Sequence, residues 1–483
     1  MPLSEKIQTQ KHKAIQLLEQ QDFKKAKTVL DKLTKSASND PEVWFLLSAL
    51  HGLTRQPEKA EYYSRKTLAL APALPDAHFN LANALREQEK FVEASKVFEK
   101  TLSLQANHLG ALINGAGTYD ELGEHDKACD AYEKAIRLAP DMQRNYYNLA
   151  KALTAKGEFE EAIKYYHEAL QRKPDDIDSR NNLSRILLSL GRYTEGWEHY
   201  RHRLSVRDLD FVTPDSLPED LTGKHIWLVY DQGLGDELFF MSFAPVLKAR
   251  GARLSYQPGH KKIASLFERV DCIDQLVLDG TIPEKVDYKV SIGDLPRLTG
   301  HGDGSSHPSS LHIPIKDENL AKAKQVLAEF GAPPYIGVTW RAGIAKKKSA
   351  LFKQFGLNDM AQLCAPLDAR IIILQRLPKD GEVEKFSETL GRPVLDLNHY
   401  NEQLEDMLAV LSLLDDYIGV SNTNMHMRSA VGKPCRVLVP FPPEWRWHTH
   451  GRSPWFPDYA VYRQQANEDW QAAVAQLRDD LTQ

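Results

Sequence analysis

The chain has 483 residues, of which 42% are hydrophobic and 26% charged, and its formal net charge at pH 7 is -5. This length exceeds what one hydrophobic core serves, so several domains are expected. The near balance of charges excludes a protein built around a broad basic surface for nucleic acid.

The N-terminal segment and the cysteines indicate the cellular compartment of the protein. The segment MPLSEKIQTQKHKAIQLLEQ is polar and lacks the apolar stretch of a signal peptide, and the chain contains no long apolar run of the kind that spans a membrane. The cysteines lie far apart and without CxxC spacing, which predicts buried thiols instead of disulfides or a zinc site. They are Cys129, Cys272, Cys364 and Cys435. We predict a cytoplasmic protein without membrane insertion.

A 34-residue repeat fills the N-terminal part of the chain. Small residues recur at this spacing, at Ala26, Ala60, Ala94, Ala128, Ala162 and Gly196. Aromatic residues precede them by three positions, glycines precede them by five and prolines follow them by twelve, as Phe159, Gly157 and Pro174 do around Ala162. Each unit thus reads as helix, turn, helix and stop, which is the tetratricopeptide pattern. We predict an α superhelix of such repeats over residues 1–204, closed by Trp197 as a packing cap.

An asparagine recurs at the same spacing on the first helix of four repeats, at Asn80, Asn114, Asn148 and Asn182. First helices line the concave groove of tetratricopeptide arrays, where side-chain amides can bind the backbone of an extended peptide. The alternative is that each asparagine hydrogen-bonds the neighbouring repeat. Over the repeats alone, this ladder resembles that of tetratricopeptide-bearing protein O-glycosyltransferases such as O-GlcNAc transferase.

A connector rich in proline and aspartate follows the repeats, and we predict a linker over residues 205–223. It contains Asp208 and Asp210, a DxD pair of a kind that chelates metal ions in some enzymes. In a linker we interpret this pair as a solvated turn. No metal site is therefore predicted.

Apolar runs alternate with helical patterns from Lys224 onward, which indicates parallel sheets with crossover helices. The first series has four predicted strands, IWLVY, ARLSYQ, DQLVL and YKVSI. After a loop rich in glycine, serine and histidine at residues 300–310, the second series has five, YIGVTW, ARIIILQ, PVLDL, DDYIGV and CRVLVP. We predict two α/β lobes, over residues 224–315 and 316–483.

The first strand of the first lobe runs into a glycine turn and a helix. Gly233 and Gly235 make the turn, and Asp236 and Glu237 open the helix. Such a turn points backbone N–H groups at a polar ligand, but glycines also serve a tight turn for steric reasons alone. Asp236 correspondingly has two interpretations, a reactive carboxylate or a helix N-cap.

Four sequence segments, including this turn, carry a resemblance to a known family. DQGLGDELFF, IGVTWRAG, YIGVSNTNMHMRSAVGKPCRVLVPF and PPEWRWHTHGRSPWFPDYAVYRQ resemble those of bacterial tetratricopeptide proteins that carry a heptosyltransferase-like, family 9 glycosyltransferase region. The resemblance implies a GT-B fold of two Rossmann-like lobes, with the acceptor on the N-terminal lobe and the nucleotide-sugar donor on the C-terminal lobe. It also implies an inverting, metal-independent transfer in which Asp236 is the general base and Glu237 its neighbouring substitute.

The leaving diphosphate of such a reaction needs cations and N–H donors. The predicted donor-binding residues are Arg341, Lys346, Lys347, Lys348, Gln375, Ser421, Asn422, Thr423, Asn424, His426 and Arg428. Gln375 ends a strand, where a base or ribose would rest. The segment around Glu444 and Arg446 is interpreted mainly as a packed crossover between the lobes, and the alternative is that it helps to line the sugar pocket.

Several of these residues have plainer interpretations. The lysine run suits a solvated face, Thr423 suits a helix cap, and Arg428 suits an exposed helix face. Two positions also depart from the family pattern, because relatives commonly have aspartate at Ser421 and a small residue at Arg428.

The sequence predicts a glycosyltransferase that moves a sugar from a nucleotide-sugar donor to a protein hydroxyl, as on flagellin or another surface protein. The acceptor-binding residues would be Gly233, Gly235 and the four asparagines of the repeat groove. Alternatives are a glycan or lipopolysaccharide acceptor, and a catalytically inactive repeat scaffold. No cofactor and no nucleic-acid partner are predicted, and a homo-oligomer remains open.

Overall fold

The structure is a computed structural model of the chain that describes residues 3–207, 209–279, 281, 283–301, 308, 310–342, 353–466 and 469–482. It forms two compact units, Met1–Asp176 and Ile177–Gln483. Among the described residues, no helix combines the length and apolar character needed to cross a membrane.

The first unit consists of helix pairs. Its helices are α1 (Leu3–Glu19), α2 (Phe23–Ser36), α3 (Pro41–Leu53), α4 (Pro57–Leu70), α5 (Pro75–Glu87), α6 (Phe91–Leu104), α7 (Leu109–Glu121), α8 (His125–Leu138), α9 (Gln143–Lys156) and α10 (Phe159–Arg172). The small residues at the 34-residue spacing are buried between paired helices, because any larger side chain would hold the two helices apart.

The predicted start, turn and stop signals of the repeats are confirmed. Phe91 and Phe159 are the first residues of α6 and α10. Gly123 and Gly157, which lie between the helices of a pair, have φ values of 73° and 91°, a region that glycine enters without steric cost. Helix α10 ends at Arg172, two residues before Pro174. The 34-residue pattern therefore gives the helix boundaries of this unit closely.

The last predicted repeat belongs to the second unit. Its helices are α11 (Ile177–Ser189) and α12 (Tyr193–Tyr200), and a short helix α13 (Leu204–Arg207) follows. Trp197 packs edge-on against Trp445 and Trp455 at ring-centroid distances of 5.3 and 6.1 Å, and the hydroxyl of Tyr193 lies 2.8 Å from His448 Nε2. The predicted boundary at residue 204 therefore lies inside the second unit, and Trp197 is a packing cap as expected.

The first sheet of the second unit has four parallel strands in the order β3-β2-β1-β4. They are β1 (His225–Val229), β2 (Arg253–Gln257), β3 (Gln275–Leu276) and β4 (Tyr288–Ser291). The helices of this part are α14 (Leu234–Met241), α15 (Ala244–Ala249), α16 (Lys261–Phe267) and α17 (Leu295–Leu298). All five residues of β1 are buried, as expected of a central parallel strand.

The second sheet has six parallel strands in the order β12-β11-β10-β5-β8-β9, and β6 and β7 pair with each other as a separate two-stranded antiparallel ribbon. The strands are β5 (Tyr335–Thr339), β6 (Arg341–Ala342), β7 (Lys353–Gln354), β8 (Arg370–Ile373), β9 (Leu395–Asp396), β10 (Asp416–Val420), β11 (Arg436–Val439) and β12 (Ala460–Arg463). The helices are α18 (Asp317–Phe330), α19 (Leu357–Cys364), α20 (Glu382–Leu390), α21 (Leu404–Leu413), α22 (Thr423–Ala430) and α23 (Gln471–Thr482).

Alternate residues of the second sheet enter two different cores. Ile371 and Ile373 of β8 pack with residues of α19, α20 and α23, whereas Ile372 joins a larger core with residues of α21, α22 and the first sheet. This alternation follows from the pleat of a strand that is covered on both faces. The larger core thus joins the two sheets within one unit.

Strand order reverses once in each sheet, between β1 and β4 in the first and between β5 and β10 in the second. In open parallel sheets a crevice forms outside the carboxyl ends of the strands at such a point, because the connecting segments diverge to opposite faces. The residues that follow β1, β5 and β10 are therefore the places to seek a site.

Candidate functional site

A cavity of about 520 Å³ in the second unit is lined by residues that follow β1, β5 and β10. Nine of the predicted site residues line it, namely Gly233, Gly235, Asp236, Arg341, Ser421, Asn422, Thr423, Asn424 and His426. Five charged residues outside the predicted donor- and acceptor-binding sets also line it, namely Lys353, Arg376, Lys379, Glu444 and Arg446.

The turn after β1 is shaped by its two glycines. The N–H of Gly233 donates to Asp236 Oδ2 at 3.2 Å, so this carboxylate caps the start of α14. A Cβ atom at Gly235 would lie 3.1 Å from His426 Cδ2, because the starts of α14 and α22 approach closely there. The close approach therefore gives Gly235 a packing reason to be glycine. Asp236 is the third residue of α14 and not its N-cap, which is Gly233; its Oδ2 accepts from the N-cap N–H in a capping box.

The start of α22 is tied to the end of β5 through Asn422. Its Oδ1 accepts from Met425 N–H at 3.3 Å, and its Nδ2 donates to Thr339 Oγ1 at 2.8 Å. Asn422, and not Thr423, is thus the N-cap residue of α22. Thr423 lies half-buried at the cavity as the first residue of the helix, while Asn424 and His426 are buried.

A row of four alternating charges crosses the cavity wall. Arg446 binds Asp236 Oδ1 and donates to Glu444 Oε1 at 2.5 Å. Lys353 binds Glu444 Oε2 and donates to Ser421 Oγ at 3.2 Å. Both carboxylate oxygens of Asp236 are consequently engaged, one by Gly233 and the other by Arg446.

Burial and these charges determine the protonation states. Burial opposes ionisation of Glu444, but the cations Lys353 and Arg446 hold the pKa of Glu444 far below its usual range. Burial, followed by the positive charge of Arg446, lowers the pKa of His426 to about 3. His426 is therefore a neutral imidazole at pH 7, suited to hydrogen bonding and unsuited to neutralising phosphate charge.

Arg341 lines the cavity but already has an anionic partner. Its guanidinium forms two hydrogen bonds with the carboxylate of Glu382, at 2.7 and 2.9 Å, and one with the carbonyl oxygen of Leu377 at 3.2 Å. The pairing also holds the pKa of Glu382 below its usual value. Arg341 is thus a rigid cation whose charge is partly balanced in place.

The cavity as a whole favours anions. Within the described part of the chain, five cationic side chains line it, those of Arg341, Lys353, Arg376, Lys379 and Arg446. Two carboxylates, those of Asp236 and Glu444, also line it, and Glu382 and Glu402 pair with Arg341 and Arg376 from outside the lining. This excess of positive charge, beside the N-terminus of α22, suits a ligand with several negative charges.

Glu237 is not at this cavity, which corrects its predicted catalytic role. Its side chain is fully buried, accepts from the hydroxyl of Tyr256 at 2.6 Å and from Gly259 N–H at 3.1 Å, and lies 2.6 Å from His260 Nδ1. Successive residues of a helix point in directions about 100° apart, so the neighbour of Asp236 faces the interior of the first sheet. Glu237 stabilises the fold there.

Gln375 is a positioning residue and not a direct ligand, since its side chain has no capacity left for one. Its Oε1 accepts from the N–H groups of Trp340 and Arg341 at 3.0 and 2.9 Å. Its Nε2 donates to the carbonyl oxygens of Arg341 and Arg376 at 3.0 and 2.9 Å. These four bonds hold the backbone that carries Arg341.

Arg428 is buried away from the cavity, so neither the predicted ligand role nor the exposed-face interpretation is correct. Its guanidinium donates to backbone carbonyl oxygens at the end of α21 and near β11, those of Leu411, Leu414, Asp415 and Pro434. Arginine suits this position because its fork of donors reaches several carbonyl groups at once.

Part of the predicted site lies outside the described residues. Lys346, Lys347 and Lys348 lie outside the described residues, as does Asp208. Asp210 is described, and its carboxylate is exposed and pairs with Lys289 at 2.8 Å.

The asparagine ladder makes contacts between repeats. Asn80 Nδ2 donates to Ser48 Oγ, and Asn114 Nδ2 donates to Asn83 Oδ1, both at 2.9 Å. Ser48 and Asn83 each belong to the first helix of the preceding repeat. These contacts match the alternative interpretation, yet they use only the Nδ2 group of each amide. Asn148 and Asn182 are half-buried.

Lys353 was missed, and for Glu444 and Arg446 the structure matches the alternative interpretation of their segment, because their place depends on how distant segments cross. A weak signal exists in the string Glu444-Trp445-Arg446-Trp447, where charged and aromatic residues alternate. Both tryptophans are in the core, whereas the two charged residues line the cavity. The crossover segment is therefore both packing element and cavity wall.

Comparison with known proteins supports the repeats. Residues 80–111, 110–142 and 145–176 each match a model of the tetratricopeptide repeat. The chain therefore contains tetratricopeptide repeats, which are modules for protein interaction.

One curated relative extends further along the chain. It is Protein FlbA of Caulobacter vibrioides (strain ATCC 19089 / CIP 103742 / CB 15), which is 26% identical over 290 residues. The match covers 54% of this chain and 47% of FlbA, so the chain spans about half the length of that relative.

Solved structures with similarity include MamA and pilF of Pseudomonas aeruginosa. MamA is 27% identical with a TM-score of 0.32, and the match covers 33% of this chain and 94% of MamA. The pilF protein is 18% identical with a TM-score of 0.38, and the match covers 44% of this chain and 94% of pilF.

Proposed function

We propose that this chain is a glycosyltransferase of GT-B type, which moves a sugar from a nucleotide diphosphate to a hydroxyl group of a protein that the repeats bind. The observation that carries the proposal is the composition of the cavity. A carboxylate that follows β1 of one parallel sheet lines the same cationic cavity as the start of a helix that follows β10 of another. A base and an anion-binding wall in one cavity are what sugar transfer from a diphosphate requires.

The roles follow from the positions of the charges. Lys353, Arg446 and the N–H groups at the start of α22 take the diphosphate, and Arg341 orients it from the end of β5. The acceptor oxygen attacks the anomeric carbon, the bond from that carbon to the phosphate oxygen breaks, and the electron pair leaves with the nucleoside diphosphate. The acceptor proton goes to Asp236.

Arg446 connects the two halves of the reaction. Without substrate it holds Asp236 Oδ1, and a diphosphate in the cavity competes for the same guanidinium. Donor binding therefore frees this oxygen to accept the proton. The expected order is donor first and acceptor second.

Substituting Asp236 by Asn tests the role of the base. An amide keeps the size of the carboxylate but cannot take a proton at neutral pH, so transfer should fall at least about a hundredfold while donor binding persists. Donor binding is measured by thermal stabilisation with ADP-, GDP-, UDP- and CMP-sugars, and transfer by intact-mass spectrometry of flagellin or another surface protein as trial acceptor.

Asp210→Asn is the matched control, since the carboxylate of Asp210 is exposed and does not line the cavity. It should leave both measurements unchanged. Undiminished transfer by Asp236→Asn would reject the base assignment. Transfer to a lipopolysaccharide core and to no protein would favour the glycan alternative.

A repeat scaffold without catalysis is the second candidate, and the pairing within the site favours it. Arg341 is paired with Glu382, and Arg446 and Lys353 are paired with Asp236 and Glu444, so these cations already have partners without any ligand. Failure of every nucleotide sugar in the panel to stabilise the protein would favour this candidate over the enzyme.

A further inference from the structure

A second cavity, of about 390 Å³, adjoins the first at the charge row. It shares four lining residues with the first cavity, namely Asp236, Lys353, Glu444 and Arg446. The four charged side chains are thus a wall between two spaces. A ligand in each space would meet the other at this wall, and Asp236 lines both spaces.

The far side of the second cavity is formed by a repeat helix. Asn181 and Arg185 of α11 line it, together with Gln232 and Tyr200. The Nε2 of Gln232 donates to the hydroxyl of Tyr200 at 2.5 Å. The amide groups of Asn181 and Gln232 can each bind a peptide group, so this lining has the chemistry for a polypeptide backbone.

Arg185 gives the cavity its charge preference. Arg203, which also lines the cavity, is buried and paired with Asp231 and Asp294. Lys353 and Arg446 are balanced by Glu444 and Asp236, as described above. Among the described residues Arg185 has no carboxylate partner, so one positive charge of this cavity remains for a ligand.

We propose that the second cavity is the acceptor subsite, a proposal that rests on the proposed function. The subsite selects a peptide with an acidic residue beside the modified hydroxyl. The acidic side chain pairs with Arg185, the peptide groups bind Asn181 and Gln232, and the hydroxyl reaches Asp236. Arg185 is then a specificity-determining residue. A peptide is favoured over an anionic glycan because two amide side chains accompany the single cation.

The test uses the full chain and three fluorescent peptides that share one central serine and differ only in flanking Asp, Ala or Lys residues. Binding is followed by fluorescence anisotropy. The Asp peptide should bind about tenfold more tightly than the Lys peptide, the effect of one charge-assisted hydrogen-bonded pair. Arg185→Glu should reverse the order, Arg185→Gln should remove the preference, and Arg185→Lys should retain part of it.

Arg452→Glu is the matched control, because Arg452 is exposed in the same unit and lines neither cavity. It should keep the wild-type preference. If Arg185→Glu does not fold, Arg185→Gln decides alone. An unchanged preference in the Arg185 variants, absence of binding by all three peptides, or an Arg185-dependent affinity for oligogalacturonate that exceeds that for the Asp peptide would each overturn the proposal.

The nucleotide-sugar panel, run on the same preparations, separates this proposal from the one on which it rests. A donor response that is equal in wild type and Arg185→Glu, with no peptide preference, removes the acceptor subsite and leaves the transferase. Peptide preference without any donor response removes the transferase and leaves the peptide site.

Discussion

Asn145 shows how one residue can depart from its repeat at a cost in stability. It is fully buried in α9, and among the described residues neither Nδ2 nor Oδ1 has a hydrogen-bond partner. The two preceding repeats have the buried alanines Ala77 and Ala111 at the equivalent position. A buried amide without partners costs about 1–3 kcal/mol, whereas alanine costs nothing of the kind.

We therefore expect Asn145→Ala to raise the free energy of unfolding of the first unit by about 1 kcal/mol, after allowance for the packing lost with the side chain. Chemical denaturation followed by far-ultraviolet circular dichroism measures the change. The reverse substitution, Ala111→Asn, is the control and should destabilise. Equal midpoints for Asn145→Ala and wild type would mean that the amide has a partner, such as an ordered water.

The turn between the two helices of a repeat also differs from one repeat to the next. The position between paired helices is glycine at Gly123 and Gly157, but it is Gln21, Arg55 and Glu89 in earlier repeats. These non-glycine residues have φ values between 52° and 60°. The turn geometry is thus imposed by the packing of the helix pair, and a side chain in this left-handed region costs about 1–2 kcal/mol.

Arg55→Gly should stabilise the first unit by about 0.5 kcal/mol, because relief of the left-handed strain slightly exceeds the greater entropy that glycine gives the unfolded chain. Gly123→Arg is the opposite control and should destabilise by at least about 1 kcal/mol. Open space surrounds a Cβ atom at Gly123, so the cost there is conformational and not a clash. A loss of stability in Arg55→Gly would show that the Arg55 side chain makes a stabilising contact.

At the scale of the whole molecule, sequence reasoning worked where a pattern is local. The nine predicted strands all occur, because each is a short apolar run bounded by turn residues. The short ribbon of β6 and β7 and the edge strand β12 were missed. The start of α22 and the turn at Asp236 were found for the same reason, as each is a contiguous motif.

The site partners were harder to predict. Lys353, Glu444 and Arg446 come from segments far from Asp236 in sequence, and only tertiary packing brings them to one wall. Arg428 and Gln375 show the opposite case, since both were predicted to bind the donor and neither is free to do so. Their polar groups hydrogen-bond backbone carbonyl and N–H groups, and no sequence motif reveals these bonds. Polar residues near a motif can thus serve to hold its backbone in place instead of binding a ligand.

The division of the chain gives a test that separates the predicted boundary from the structural one. A fragment of residues 177–483 keeps Tyr193, Trp197 and Tyr200 in the core, whereas a fragment of residues 205–483 lacks all three. Removing a buried aromatic side chain costs about 3–5 kcal/mol, and a typical domain has only about 5–15 kcal/mol of stability in total. We expect the longer fragment to unfold cooperatively and the shorter one to aggregate or melt without a cooperative transition.

Thermal unfolding followed by near-ultraviolet circular dichroism compares the two fragments, and binding of the nucleotide-sugar panel reports on the cavity. A longer fragment with Trp197→Ala is the intermediate control, because it creates a cavity beside Trp445 and Trp455 without removing the helices. It should still fold, with a lower midpoint than the unsubstituted fragment. Equal midpoints for the fragments 177–483 and 205–483 would mean that α11 and α12 are attached to the second unit without stabilising it.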